Sequence, residues 1–331
     1  MTSAPSAPEE APVAVSLDQR IAAAMQLGGR ITWRDIGALL GVSESTVARR
    51  ARTMMAAGVV RSTALAEPLR CGLGYPVLVQ LSCSPDRCTA VAAELARRPD
   101  VRVAVVVTGR ADIVAELIVA SRDELARVLV DEIGCIPGIV QSQTENVLRT
   151  FKMAFDWSRP LLRPYAVPPP SPIDVRESVE PVTLDGVDMS LIEQLRQDGR
   201  RSYQELASEL GISESAARRR VDSLVSTGAV TLVTLVDPPF LGYQVEIFLF
   251  LGVDLGRLEE VATALVARPE VRYLSATSGH SDLVAEVILP THRDLYDFRT
   301  HVLGGLAGIR HVEITWELRT LKRAYLYMQR G

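Results

Sequence analysis

The chain is written twice. GRITWRDIGALLGVSESTVARR (Gly29 to Arg50) returns 170 residues later as GRRSYQELASELGISESAARRR (Gly199 to Arg220). The same displacement carries RPDVR (Arg98 to Arg102) onto RPEVR (Arg268 to Arg272), GRADIVAE (Gly109 to Glu116) onto GHSDLVAE (Gly279 to Glu286), and LRTFK (Leu148 to Lys152) onto LRTLK (Leu318 to Lys322). Chance does not place four matches in one register. The period far exceeds the roughly 20 to 50 residues of a solenoid repeat, so the pattern specifies a duplicated module rather than a stack. Two such modules in one polypeptide predict an internal pseudo-dimer.

Between the copies, residues 158–183 hold seven prolines in 26 positions, PPPSP among them. Proline fixes φ and removes a backbone donor, so this stretch reads as a semi-rigid connector.

Each copy changes hydrophobic period part-way along. The first part has the spacing of short helices: Asp18 to Leu27, Trp33 to Leu40 and Ser43 to Ala56, with counterparts at Asp188 to Leu195, Tyr203 to Leu210 and Ser213 to Val225. Ser43 and Ser213 stand where an N-cap belongs, and Gly41 and Gly211 mark the turn between the second and third helices. Leu206, Ala207, Leu210, Ile212, Val221 and Leu224 form the expected small core of the second copy. Ile36, Leu39, Leu40, Val42 and Val47 do so in the first.

The second part alternates as strands do. YPVLVQLSC (Tyr75 to Cys83) and YQVEIFLFLGV (Tyr243 to Val253) open it. VRVAVVVTG and IVAELIV then flank a glycine turn that reads as a hairpin. Helical stretches cover Arg87 to Arg97, Arg257 to Arg268, Arg122 to Ile133 and His292 to Val302, and a last strand covers about Ile139 to Asn146 and Ile309 to Thr315. The order β-α-β-β-α-β predicts a four-stranded antiparallel sheet with two helices on one face, its other face covered by the sister sheet.

The fold class expected is therefore α+β, with two winged-helix-like helix-turn-helix domains and two ferredoxin-like β-α-β-β-α-β domains in an internally duplicated chain. The division is a flexible tail at 1–14, a helix-turn-helix at 15–63, a ferredoxin-like domain at 64–157, the connector at 158–183, a second helix-turn-helix at 184–236 and a second ferredoxin-like domain at 237–331.

The helix after each turn carries hydroxyls early and arginines later. Ser43, Ser45, Thr46, Arg49, Arg50 and Arg52 in copy one, and Ser213, Ser215, Arg218, Arg219 and Arg220 in copy two, are the candidate DNA contacts. A helix of this size fits a major groove, where such side chains meet base edges and phosphates. The whole chain has a net charge of -4, which argues against indiscriminate coating of nucleic acid but not against a local basic face. The two helical parts differ: residues 15–63 sum to +4 and residues 184–236 to -2. Only Lys152 and Lys322 are lysines, so an anionic partner meets guanidinium groups almost everywhere.

Cys71, Cys83, Cys88 and Cys135 make no CxxC pair and read as free, partly buried thiols, not a metal site. No cofactor is expected. No run is long and apolar enough for a membrane span, and the first dozen residues lack the features of an export signal, so a cytoplasmic protein is predicted.

These motifs resemble the leucine-responsive/asparagine-responsive (Lrp/AsnC, feast-or-famine) family of transcriptional regulators. The second copy carries the resemblance best, from LDGVDMSLIEQLRQDGRRSYQELASELGISESAARRRVDSLVSTGAV through FLGY, RPEV, the SGHSD turn and LAGI. The first copy departs at its start: VSLDQRIAAAMQLGGR lacks the pair that stands at Leu184–Asp185, although Asp18 matches Asp188. The resemblance implies sequence-specific binding of double-stranded DNA, pairing through the β-α-β-β-α-β part, and assembly into a homodimer or higher oligomer. It also implies a small effector, such as an amino acid, bound between sensor domains around the glycine turn. The matching positions are Thr108, Gly109, Arg110 and Asp112, and Ser278, Gly279, His280 and Asp282. Arg110 against His280 makes the two pockets chemically different.

Two alternatives remain open. Siroheme decarboxylases are similar in architecture, and that reading needs histidines converging on a large pocket; the chain has only His280, His292, His301 and His311. The other is a ligand-binding or scaffold protein with vestigial DNA-reading helices. No nucleophile triad, metal cluster or phosphate loop supports an enzyme.

Overall fold

The computed structural model describes residues 15–167 and 181–328. The tail predicted at 1–14 and residues 168–180 of the connector lie outside the described residues.

The first copy begins with helices α1 (Leu17–Met25), α2 (Trp33–Leu40) and α3 (Glu44–Ala56). Strands β1 (Val60–Ala66) and β2 (Tyr75–Cys83), helix α4 (Cys88–Arg97), and strands β3 (Val101–Val107) and β4 (Ile113–Val119) follow. Helix α5 (Arg122–Ala126) continues through a π turn and a 3-10 turn to Cys135, and β5 (Ile139–Met153) ends the copy. The second copy repeats the order with α6 (Gly186–Gln197), α7 (Tyr203–Leu210), α8 (Glu214–Ser226), β6 (Val230–Val236), β7 (Val245–Val253), α9 (Leu258–Val266), β8 (Val271–Ser278), β9 (Leu283–Leu289), α10 (His292–Asp297) and β10 (Ile309–Arg323). A short β11 (Leu326–Tyr327) folds back on β10.

Local chemistry explains the helix ends. The Ser43 and Ser213 hydroxyls accept from the backbone N–H of Thr46 and Ala216, occupying donors that the first helical turn leaves unmade. Gly41 and Gly211 sit at φ +69° and +65°, where a side chain would be strained, and this conformation ends α2 and α7.

The expectation of two separate ferredoxin-like domains is overturned. Eight strands close into one barrel in the order β10-β3-β4-β2-β5-β8-β9-β7, with β7 returning to β10. The reason is the length of the last strand of each copy, 15 residues rather than the seven or eight read from the sequence. The first half of β5 pairs with β2 of its own copy, and its second half, from Asn146 to Met153, pairs with β8 of the other. In the same way β10 runs from β7 onto β3. Each extension covers an edge that would otherwise expose unpaired backbone groups. Register shifts at Val147/Arg149 and Glu317/Arg319 break the period-two pattern at the crossing point, which hid the continuation.

The barrel wall separates three apolar layers. Val77, Val79, Leu81, Ile113, Ala115 and Leu117 face α4 and the α5 segment outside, and Ile247, Leu249, Leu251, Leu283 and Val287 face α9 and α10. Leu78, Val105, Val114, Phe248, Phe250 and Val284, from both copies, fill the interior. The two inner faces thus cover one another, as the sequence required of them.

A second exchange joins the helical parts. β1 and β6 pair only with each other, antiparallel, from Val60↔Val236 to Ala66↔Val230. Ala64, Ala66 and Cys71 of copy one complete the core of α6, α7 and α8, while Val236, Leu241 and Tyr243 of copy two pack with α1, α2 and α3. Neither helical unit closes its core with its own copy alone. The start of the connector, with Ser158 and Leu162 buried, also packs against α1. Among the described residues no helix is long and apolar enough to cross a membrane.

Candidate nucleic-acid interface and effector turns

The recognition helices α3 and α8 sort their arginines by face. Ser45, Arg49 and Arg52 are exposed on α3, as are Ser215, Arg218 and Arg219 on α8. Ser43 and Ser213 are exposed but serve as caps, and each also lies within hydrogen-bonding distance of the next hydroxyl, Ser45 or Ser215, while Ser43 reaches Thr46 as well. Arg50 and Arg220 are half-buried and turned toward the first helix. Arg50 bonds Asp18 at 2.8 Å. Arg220 bonds Asp188 at 2.8 Å and Asp185 at 2.8 Å. The missing leucine–aspartate pair of copy one is thus felt as one carboxylate fewer on its arginine. Asp185 is held below the usual aspartate range by the backbone N–H of Asp188 and then by Arg220.

Two arginines outside those helices fix how the units face each other. Arg30 donates from Nε to the Gly199 carbonyl (2.8 Å) and from Nη2 to the Arg201 carbonyl (2.7 Å). Arg200 donates to the carbonyls of Gly29 (3.0 Å) and Ile31 (2.8 Å). Burial and the neighbouring Arg30 charge lower the Arg200 pKa. Gly29 and Gly199 bring the loops hard against the paired strands: Gly29 N–H donates to Leu232 and Gly199 N–H to Ser62. Sequence reasoning passed over this pair, although the repeated GR of both copies marked the position.

The glycine turns of the barrel hold the candidate effector residues, and each lies against the last strand of the other copy. Thr108 exchanges two hydrogen bonds with Trp316: its N–H donates to the Trp316 carbonyl (3.0 Å), and its Oγ1 accepts from the Trp316 N–H (3.1 Å). Gly109, at φ +103°, and Arg110 are exposed. At the second turn, the Asn146 amide donates to Ser278 Oγ (3.3 Å), and Gly279 and His280 are exposed. Asp112 and Asp282 do the same work in each: a carboxylate oxygen accepts from the N–H of Cys83 or Val253 at 2.7 Å. Asp282 also receives Arg310 at 3.2 Å.

The turns differ more than Arg110 against His280 suggests. Thr315 lies beside Gly109, whereas its counterpart beside Gly279 is Glu145. Glu145 is fully buried; one oxygen accepts from Ser281 N–H (3.3 Å), and the other has no partner among the described residues. Burial pushes its carboxyl above the ordinary glutamate range. His280 stands 6.3 Å from His311, and His292 packs on Trp316 at 4.9 Å. The four cysteines are free; burial raises Cys71 and Cys83 to about 11, which keeps them as thiols. Among the described residues no group of side chains could hold a metal ion.

Comparison with known proteins follows the same duplication. The Lrp/AsnC ligand binding domain matches residues 76–156 and 246–327, and the AsnC-type helix-turn-helix domain matches residues 16–55 and 184–225. An uncharacterised HTH-type transcriptional regulator of Pyrococcus furiosus is 35% identical over 131 residues, 39% of this chain and 88% of that protein. HTH-type transcriptional regulator Ptr1 of Methanocaldococcus jannaschii is 31% identical over 140 residues, 42% of this chain and 95% of that protein. Among solved structures, the siroheme decarboxylase NirDL aligns over 92% of both chains with a TM-score of 0.60 and 13% identity, a likeness of fold.

Proposed function

The chain belongs to the Lrp/AsnC family of helix-turn-helix transcriptional regulators, and from that premise we propose how it divides DNA reading from effector sensing. It is a DNA-binding regulator of that type. The observation that carries the proposal is the outward set on α3 and α8: Ser45, Arg49 and Arg52, and Ser215, Arg218 and Arg219. Each helix enters a major groove with these residues, the serines and arginines meeting base edges and phosphates. Thr46 lies beside the first set. Arg50 and Arg220, tied to first-helix aspartates, orient the helices rather than read bases. Because the copies are linked and have diverged, the operator has two unlike half-sites.

The effector turns sense a small molecule such as an amino acid. Exposed backbone at Gly109 and Gly279 offers donors to a carboxylate, with Arg110 adding charge at the first turn and Glu145 placing a buried carboxyl near the second. The unlike turns give the two sites unequal affinity. One chain supplies the pseudo-dimer, and further chains join it into a homodimer or higher oligomer.

The decarboxylase reading finds no support in side-chain placement. None of the four histidines lines the cavity at the barrel mouth, so the proton donors such chemistry would use are not gathered there.

Selection of genomic fragments by the purified chain, followed by fluorescence anisotropy across a salt series, tests the reading. A site bound about 1000-fold over random duplex, and weakened by Arg49→Ala or Arg219→Ala, is the expected result. Binding that never rises above random duplex would sink it.

A further inference from the structure

A cavity of about 520 Å³ lies where the β1–β6 pair caps the barrel. Its walls come from both bodies: Arg61, Leu65 and Leu235 from the strand pair, and Val103, Phe248 and Tyr273 from the barrel. That volume falls in the range of small-molecule sites, and the lining is mainly apolar.

The polar part of this wall has diverged between the copies. In copy one, Arg102 makes a complete two-pronged pair with Glu116, at 2.6 and 2.7 Å. In copy two the matching Arg272 and Glu286 are joined by Arg323, Glu317 and Glu246, whose copy-one counterparts are Met153, Val147 and Pro76. Arg323 takes Glu286 at 2.6 Å and Glu317 at 2.7 Å. Arg272 is left bonding all its carboxylates through Nη2, and its Nε has no partner among the described residues. Beside it, Tyr273 replaces Val103 of copy one. Its hydroxyl is buried beside those of Ser275 and Thr150. A β-bulge at each arginine turns successive residues of β3 and β8 toward the interior.

The guanidinium and carboxylate groups answer one another within the wall, and Arg272 Nε and the Tyr273 hydroxyl are sealed off from the cavity, so what the cavity presents is mainly its apolar lining. Four arginines among the lining residues are matched by four carboxylates, so the wall offers no net charge to an ion. We propose that this cavity binds a neutral, mainly apolar small molecule. This is a site separate from the glycine turns. Its occupant touches the strand pair that carries the helical units and the barrel at once. The binding claim stands independently of the regulator reading, because its test needs no DNA.

The test titrates the free full chain with Nile red, a neutral aromatic carbonyl whose fluorescence rises in apolar surroundings. One saturable site per chain is expected. Val103→Trp, which fills the cavity from a half-buried position, should weaken binding about tenfold or more, and Ala57→Trp at the exposed rim should weaken it as well. Absence of saturable binding overturns the proposal, as does unchanged affinity in either tryptophan variant that remains folded by circular dichroism. Tighter binding at the same site by the anionic probe 8-anilinonaphthalene-1-sulfonate overturns the assignment to a neutral ligand.

Discussion

Arg30 and Arg200 hold the two helix-turn-helix units together by returning each other's contacts. Each guanidinium bonds two carbonyls of the loop that carries the other, and each also packs on an aromatic ring of the opposite unit, Arg30 over Tyr203 at 4.8 Å and Arg200 over Trp33 at 3.9 Å. The relation between α3 and α8, and so the spacing of any two half-sites, depends on this clasp.

Removing one arm should therefore cost both stability and DNA affinity. Arg200→Ala loses two charge-assisted hydrogen bonds and a cation–π contact, about 2 kcal/mol of stability by chemical denaturation. The double variant with Arg30→Ala should lose less than the sum of the singles, because both arms restrain one interface. Strict additivity would show two independent contacts instead of a clasp.

Neighbouring arginines on α3 should separate cleanly. Arg49→Ala should leave the melting temperature unchanged while weakening DNA binding and reducing the slope of log affinity against log salt by about one. Arg50→Ala should lower the melting temperature, because it frees Asp18 and loosens α3 from α1. Equal effects of the two substitutions on both readouts would contradict the face assignment.

The loop glycines give a steric test. A Cβ on Gly29 would meet the Leu232 carbonyl carbon at 2.4 Å, and one on Gly199 the Thr63 nitrogen at 2.7 Å. Gly29→Ala should cost about 1–3 kcal/mol, since strand backbone must move. Gly186→Ala, where nothing lies within 4 Å and a helix begins, should instead stabilise by about 0.5 kcal/mol. Thermal unfolding of the pair checks the contrast.

Lys322 supplies a pH signature. Its amine donates to the Arg98 carbonyl at 2.6 Å, and burial lowers its pKa from 10.5 to about 8. Below that value both folded and unfolded chains carry the charge, and the folded state bears its burial penalty. As pH climbs from about 8 toward 10.5 the folded chain releases the proton first, so stability relative to Lys322→Met should rise, by about 1–3 kcal/mol. Denaturant melts at pH 7 and pH 10 measure the difference; a flat or falling difference would refute it.

The duplication, the helix-turn-helix with its serine caps and glycine turns, and the strands that alternate in period two were all legible in the order of residues. These are written in neighbouring residues: a cap acts within one turn, and a strand face repeats every second position. It also placed Arg49, Arg219 and both glycine turns, because the repeat aligns them. What it left undecided was partner choice. Whether Asn146 to Met153 ends a sheet or crosses to β8, whether β1 closes its own unit or pairs with β6, and whether an arginine such as Arg50 or Arg272 faces water, a helix or a carboxylate cluster depend on residues outside the element itself, for the strand pairings more than 100 positions away. Only the closed tertiary structure satisfies those edges and buried charges together, since the favourable outcome at each position exists only once its distant partner is in place.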